Sequence, residues 1–146
     1  MMVRQHLRGL LLGIVVCLAL PLGATETPQV TGVPLLLNAA TDETPGRIMG
    51  PDTMARCARG VIYLDWASGV TAGAVQLESL HAASLAAAAA YTGTWAPYGS
   101  ATSASGTGPY QTSVHFTETF EYLRTRVSTA VSGGAEPGVS SYLTCN

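Results

Sequence analysis

From position 110 onward the chain alternates apolar and polar residues with almost no helical interruption, reading YQTSVHFTETFEYLRTRVSTAVSGG and then GVSSYLTCN. Val114 and Phe116 share one parity. Leu123, Thr125, Val127, Thr129 and Val131 hold one parity of the next segment, and Val139, Ser141, Leu143 and Cys145 do so in the last. A two-residue period sends successive side chains to opposite faces of a strand, so each segment offers one face to a core and one to water. Such one-sided segments predict antiparallel pairing, because parallel strands covered on both faces read as continuous apolar runs. The expected fold is all-β: an antiparallel β-sandwich, Ig-like or jelly-roll-like, of about six or seven strands.

Upstream, ARGVIYLDW at 58–66 predicts a strand buried on both sides for part of its length. AVQLESL at 74–80 alternates again, with Val75 and Leu77 inward and Gln76 and Glu78 outward, and the short interval between the two suits a hairpin. The alanines at 86–90 favour helix by propensity, yet so short a helix is marginal alone, which predicts a single turn within a loop. Residues 100–109 form a Ser/Thr/Gly-rich loop, and GGAEPG at 133–138 is the last clear turn. Pro28 and Pro34 exclude a helix near the start, where Val33 to Leu37 suits one short edge strand. Pro45-Gly46 and Gly50-Pro51 mark a loop after it. The organisation read from this pattern is an extended arm and loop over 25–53 and a sandwich domain over 54–146.

Composition adds a compartment. Residues 1–24 carry Arg4 and Arg8, an apolar run from Leu10 to Leu20 and a small-residue exit at Pro21-Leu22-Gly23-Ala24, the layout of a secretory signal. The run is shorter than the roughly 20 residues a membrane-spanning helix needs, so the expectation is an extracellular or periplasmic protein with no stable span after cleavage. Charged residues make up 11% of the chain, lysine is absent and the formal net charge is -2, which argues against nucleic-acid binding for want of a basic stripe. Loss of Cys17 with the signal leaves Cys57 and Cys145, which predict one disulfide in an exported chain, or two buried free thiols in a reducing compartment.

Candidate chemistry is sparse. Ser68-Gly69 lacks the leading glycine of a nucleophile elbow, and outside the signal only His81 and His115 remain, in no spacing suited to zinc. No phosphate loop or dinucleotide pattern occurs, so no cofactor or metal is expected. Glu118 and Glu121 could approach Asp65 or Glu78 for acid–base or calcium chemistry. The reading preferred is solvated carboxylates paired with Arg124 and Arg126. Tyr122, Arg124 and Arg126 suit either a protein interface or plain solubility, because aromatics and arginine are enriched at interfaces. Trp95, Tyr98 and Tyr110 flank the Ser/Thr/Gly loop and suit a sugar-stacking surface or core anchoring.

The segments GVTAGAVQLES, YTGTW, YLRTRVSTAVSGG and GVSSYLT together resemble small β-sandwich structural proteins of tailed phages and prophage-like particles. The likeness spans about residues 60–144; the signal-like start and the cysteine pair are not part of it. It implies a particle or surface component that works by packing against neighbours, and it carries over no catalytic residues. The function expected is a secreted structural or assembly subunit whose partners are copies of itself or other surface proteins. Val33, Leu35, Leu36 and Leu37 of the arm, with Tyr122, Arg124 and Arg126, are its expected interface. The rivals are a carbohydrate-binding module on Trp95, Tyr98 and Tyr110, and a small secreted hydrolase with His81 or His115 as base.

Overall fold

A computed structural model describes residues 31–107 and 109–145; the expected signal at 1–24 and the first residues of the expected arm lie outside them. Seven strands form two antiparallel sheets: β1 (Val33–Ala39), β2 (Gly60–Trp66), β3 (Ala72–Leu80), β4 (Ala96–Ser103), β5 (Tyr110–Phe116), β6 (Tyr122–Ser132) and β7 (Val139–Cys145). Strand order is β1-β7-β2-β5 in one sheet and β4-β3-β6 in the other. The all-β sandwich read from the alternation is therefore the fold. No helix among the described residues is long and apolar enough to cross a membrane.

The core between the sheets follows the expected parities of β3, β6 and β7 and adds one face of β2. Ile62, Leu64 and Trp66 of β2 meet Val75 and Leu77 of β3, Leu123 and Val127 of β6, and Val139 and Leu143 of β7. Thr125 and Ser141 share the buried set because they satisfy each other: their hydroxyls lie 2.8 Å apart, and the Ser141 hydroxyl also accepts from the Leu36 amide. A buried hydroxyl left alone would lose its hydration without return. Thr129 is exposed, against its expected parity, because two register shifts against β3 interrupt the period around it before Val131 turns inward again.

Three expectations about connectivity fail. The stretch 58–80 is not a hairpin: β2 pairs with β5 and β7, whereas β3 pairs with β4 and β6 in the opposite sheet. The crossing between β2 and β3 meets the return between β6 and β7, and a side chain at Gly69 (φ +82°) would come within 2.6 Å of the Gly134 Cα. Glycine at Gly69 thus serves both a left-handed backbone and a contact that leaves no room for a Cβ. β2 is also not buried on both sides, since Val61, Tyr63 and Asp65 on its other face are half-buried or exposed.

The third failure concerns the arm: its expected short edge strand is present but belongs to the sandwich. Residues 33–39 are an integral edge strand, paired along β7, with Leu35 and Leu36 in the core. Residues 40–49 then cross to the second sheet and run along the β6 edge. There the Glu43, Gly46 and Met49 amides donate to the Val127, Thr125 and Leu123 carbonyls, and the Leu123 and Val127 amides donate back to Met49 and Thr44. The turn-rich composition of this segment was legible; its role as cover for a strand edge was not. The sandwich therefore starts at β1, and a short helix α1 (Pro51–Met54) follows the edge cover and seats Met54 in the core.

The alanine run forms a second short helix, α2 (Leu85–Ala90), with the Ser84 hydroxyl accepting from the Ala87 amide as its N-cap. A cap of this kind contributes about 1 kcal/mol. Ala88, Trp95 and Tyr122 then bury one another in a second, smaller cluster, with Ile48, Leu80 and Ala82 packed against it.

Candidate functional site

The α2 excursion changes the character of β3. A central strand of a sandwich normally shows one face to water, but here Gln76 and Glu78 are buried along with Val75 and Leu77. Glu78 was expected to point outward into solvent; it does point away from the main core, yet its side chain is only 4% exposed. The carboxylate is held between two strand neighbours. Arg124 Nε and Nη2 each lie 2.9 Å from Oε2, and Arg126 Nε lies 2.7 Å from Oε1.

Arg124 lies under the Trp95 ring with its guanidinium carbon 4.1 Å from the ring centroid, a cation–π contact. Arg126 reaches Glu43 as well, donating from Nη1 to Oε1 at 2.8 Å. Burial works against the Arg126 charge, but hydrogen bonding and Coulombic attraction from Glu78, joined by Glu43, outweigh it and raise its pKa above the ordinary value. Gln76, the next outward residue of β3, donates to the Tyr98 carbonyl and to that of Leu77, clamping the irregular register between β3 and β4.

The residues singled out from sequence are not gathered into one surface. Cys57 and Cys145 form the expected disulfide, with Cα atoms 5.0 Å apart and both residues buried. Of the expected interface, Leu35, Leu36 and Tyr122 are buried, Val33 is half-buried, and Arg124 and Arg126 are tied to Glu78. Leu37 alone is prominently exposed, at 67%. Trp95, Tyr98 and Tyr110 do not share a platform. Trp95 is buried over Arg124, Tyr98 packs edge-on against Phe120, and Tyr110 stacks on Trp66 while its hydroxyl accepts from the Ser105 amide. The sequence reading placed them together because they flank one loop, but alternate strand faces and different sheets separate them.

His81 is exposed and contacts Glu121 at 3.1 Å, and His115 is exposed on β5 beside Ser113. Glu121 thus faces His81, Asp65 accepts from Gln111, and neither carboxylate approaches Glu78 as a pair. Among the described residues no three His, Cys, Asp or Glu side chains gather in a way that could hold a metal ion. No protein-family model and no curated protein matches this chain.

The two sides of the sandwich differ in how their strand edges end. On one side β1 and β6 are sewn together by residues 40–49. On the other, β4 and β5 are the outermost strands of their sheets, and neither APYGSATS nor YQTSVHF contains a charged residue. β4 is interrupted by Pro97 and by Gly99 at φ +62°. β5 has no proline or glycine and keeps seven consecutive partners on β2 without a shift. Its outward residues Gln111, Ser113 and His115 are exposed.

Proposed function

We propose that the chain is a secreted structural or assembly subunit that acts by strand-edge packing against copies of itself or other surface proteins, without catalysis. The observation that carries this reading is the regular, uncharged edge of β5, on which no strand pairs among the described residues. Strand edges in monomeric proteins are ordinarily blunted by lysine, proline, bulges or a covering segment, since unpaired N–H and C=O groups recruit another strand. Among the described residues such cover lies on β6 and a partial interruption on β4, and β5 has neither. The arm contributes differently from the expectation: β1 is spent within its own sheet, so association rests on β5 and not on Val33 to Leu37. Secretion is supported by the buried disulfide, which suits an oxidising compartment.

Ser113 is the middle residue of β5, so antiparallel pairing of two copies about that point sets the two Ser113 side chains opposite one another. Ser113→Lys on this exposed position places like charges face to face. Light scattering coupled to size exclusion at low salt is expected to show an oligomer for the native chain and a shift toward monomer for the variant, roughly tenfold weaker in association. A monomer for the native chain at high concentration removes the reading.

A second reading, carbohydrate binding, is favoured by one feature the sequence analysis passed over. On the outer face of the four-stranded sheet, Tyr63 of β2 lies directly opposite Tyr142 of β7, in one row with Ser113 and flanked by Asp65 and Gln111. Half-exposed tyrosines beside hydrogen-bonding side chains suit sugar rings, which have apolar faces and polar rims. Retention on insoluble polysaccharide, lost on Tyr63→Ala with Tyr142→Ala, is the expected outcome of that reading, and no retention of the native chain dismisses it.

A further inference from the structure

On the outer face of the three-stranded sheet, Glu43, Glu78, residues 92–95, Arg124 and Arg126 enclose a pocket of about 180 Å³. Its charges are unequal in quality. Glu78, almost fully buried and bonded to both arginines, neutralises one positive charge and holds both guanidinium groups in place. The second positive charge is answered only by Glu43, whose side chain is 74% exposed and makes a single contact with Arg126. An exposed pair of that kind contributes little and exchanges readily.

Each guanidinium has five N–H donors, and the bonds to Glu78 and Glu43 leave three on each without an acceptor among the described residues. Trp95 lines the same pocket and lies over Arg124, so its indole reports on what enters.

We infer that this pocket is a binding site for the carboxylate of a small organic acid, held shut in this structure by the chain's own Glu43. The incoming carboxylate takes the place of the Glu43 side chain on Arg126 and supplies acceptor oxygens to the spare guanidinium donors beside the Trp95 ring. A carboxylate suits the site because planar guanidinium groups match its two oxygens and because one positive charge is left over when Glu43 leaves. The volume admits the carboxylate and the few atoms that bear it, not a folded partner. The site stands on the opposite sheet from the β5 edge and does not depend on strand-edge association.

The test is a titration of the secreted protein with sodium acetate and, separately, sodium glucuronate, followed by the indole ¹⁵N–¹H resonances, with Trp95→Phe identifying the peak. The expected result is a saturable shift of the Trp95 indole signal, with a dissociation constant of roughly 1 mM or tighter for at least one acid. Acetate alone sufficing marks the site as reading the carboxylate group, whereas a preference for glucuronate marks it as reading a sugar acid. Glu43→Gln, a change at an exposed side chain, should tighten binding roughly two- to five-fold by removing the internal competitor. Arg126→Gln should weaken it at least tenfold. An indole signal that does not move, a shift reproduced by chloride at equal ionic strength, or unchanged binding in Glu43→Gln overturns the inference.

Discussion

Replacing both Cys57 and Cys145 with alanine is expected to cost about 4–5 kcal/mol of folding stability, the chain-entropy value for a bridge joining residues 88 apart. The structure gives reasons to expect most of that figure. Cys145 ends β7, the strand between β1 and β2, and lies opposite Gly60, the first residue of β2. Cys57 lies just before that same strand, so the bridge ties the end of the chain to the start of the central strand. Gly60 adds to the constraint on that corner, because a Cβ there would collide with the Phe116 ring on β5. The two sulfurs are buried, so the covalent link is embedded in the core and not a surface staple.

Chemical denaturation of the double variant beside the native protein measures the effect. By the size scaling of small domains, the loss should lower Tm by roughly 15–25 °C. A loss below about 1 kcal/mol shows that the unfolded chain is not constrained by the bridge in the way the entropy model requires. Replacing both cysteines avoids leaving a lone thiol free to form intermolecular bridges.

Glu78→Gln is expected to be almost as damaging, at about 3–5 kcal/mol, for an electrostatic reason. The substitution preserves shape but leaves Arg124 and Arg126 sharing one largely desolvated face with no charge between them. Replacing the group as a whole has a different expected outcome. With Glu78→Leu, Arg124→Met and Arg126→Met together, the one ion left without its partner is the solvated Glu43, and stability should return to within about 2 kcal/mol of the native chain. Urea unfolding of the single and triple variants separates the two effects. Equal losses in both point to packing against Trp95 and α2 as what the cluster supplies, and a large loss in the single variant alone points to charge.

Periodicity in the sequence carried the architecture a long way. The buried parities of β7, the inward faces of Val75 and Leu77, and the single disulfide follow from alternation and cysteine count, because burial of one strand face is a local demand visible residue by residue. Even Thr125 and Ser141 sat on their correct face, although nothing local identified them as each other's partner. The pattern says which way a side chain points, and it is silent on which strand lies alongside. Hence β2 and β3 read as a hairpin and proved to belong to opposite sheets, and the arm's expected edge strand proved to be part of the sandwich, followed by the cover of another edge.

The candidate sites were less legible for the same reason. Glu78 alternates outward like any solvated carboxylate, and only the fold of residues 81–95 across the sheet converts that outward face into a second interior. Glu43, far from Arg126 in sequence, arrives there because residues 40–49 must satisfy the β6 edge. By itself the sequence determined strand faces, the cysteine pair and the absence of familiar catalytic spacing, all of which depend on the order of neighbouring residues. Tertiary structure decided which edges are covered, which charges are buried and which aromatics meet. Those outcomes depend on distant segments competing for the same backbone hydrogen bonds and the same desolvated space, and no short stretch of chain encodes the winner.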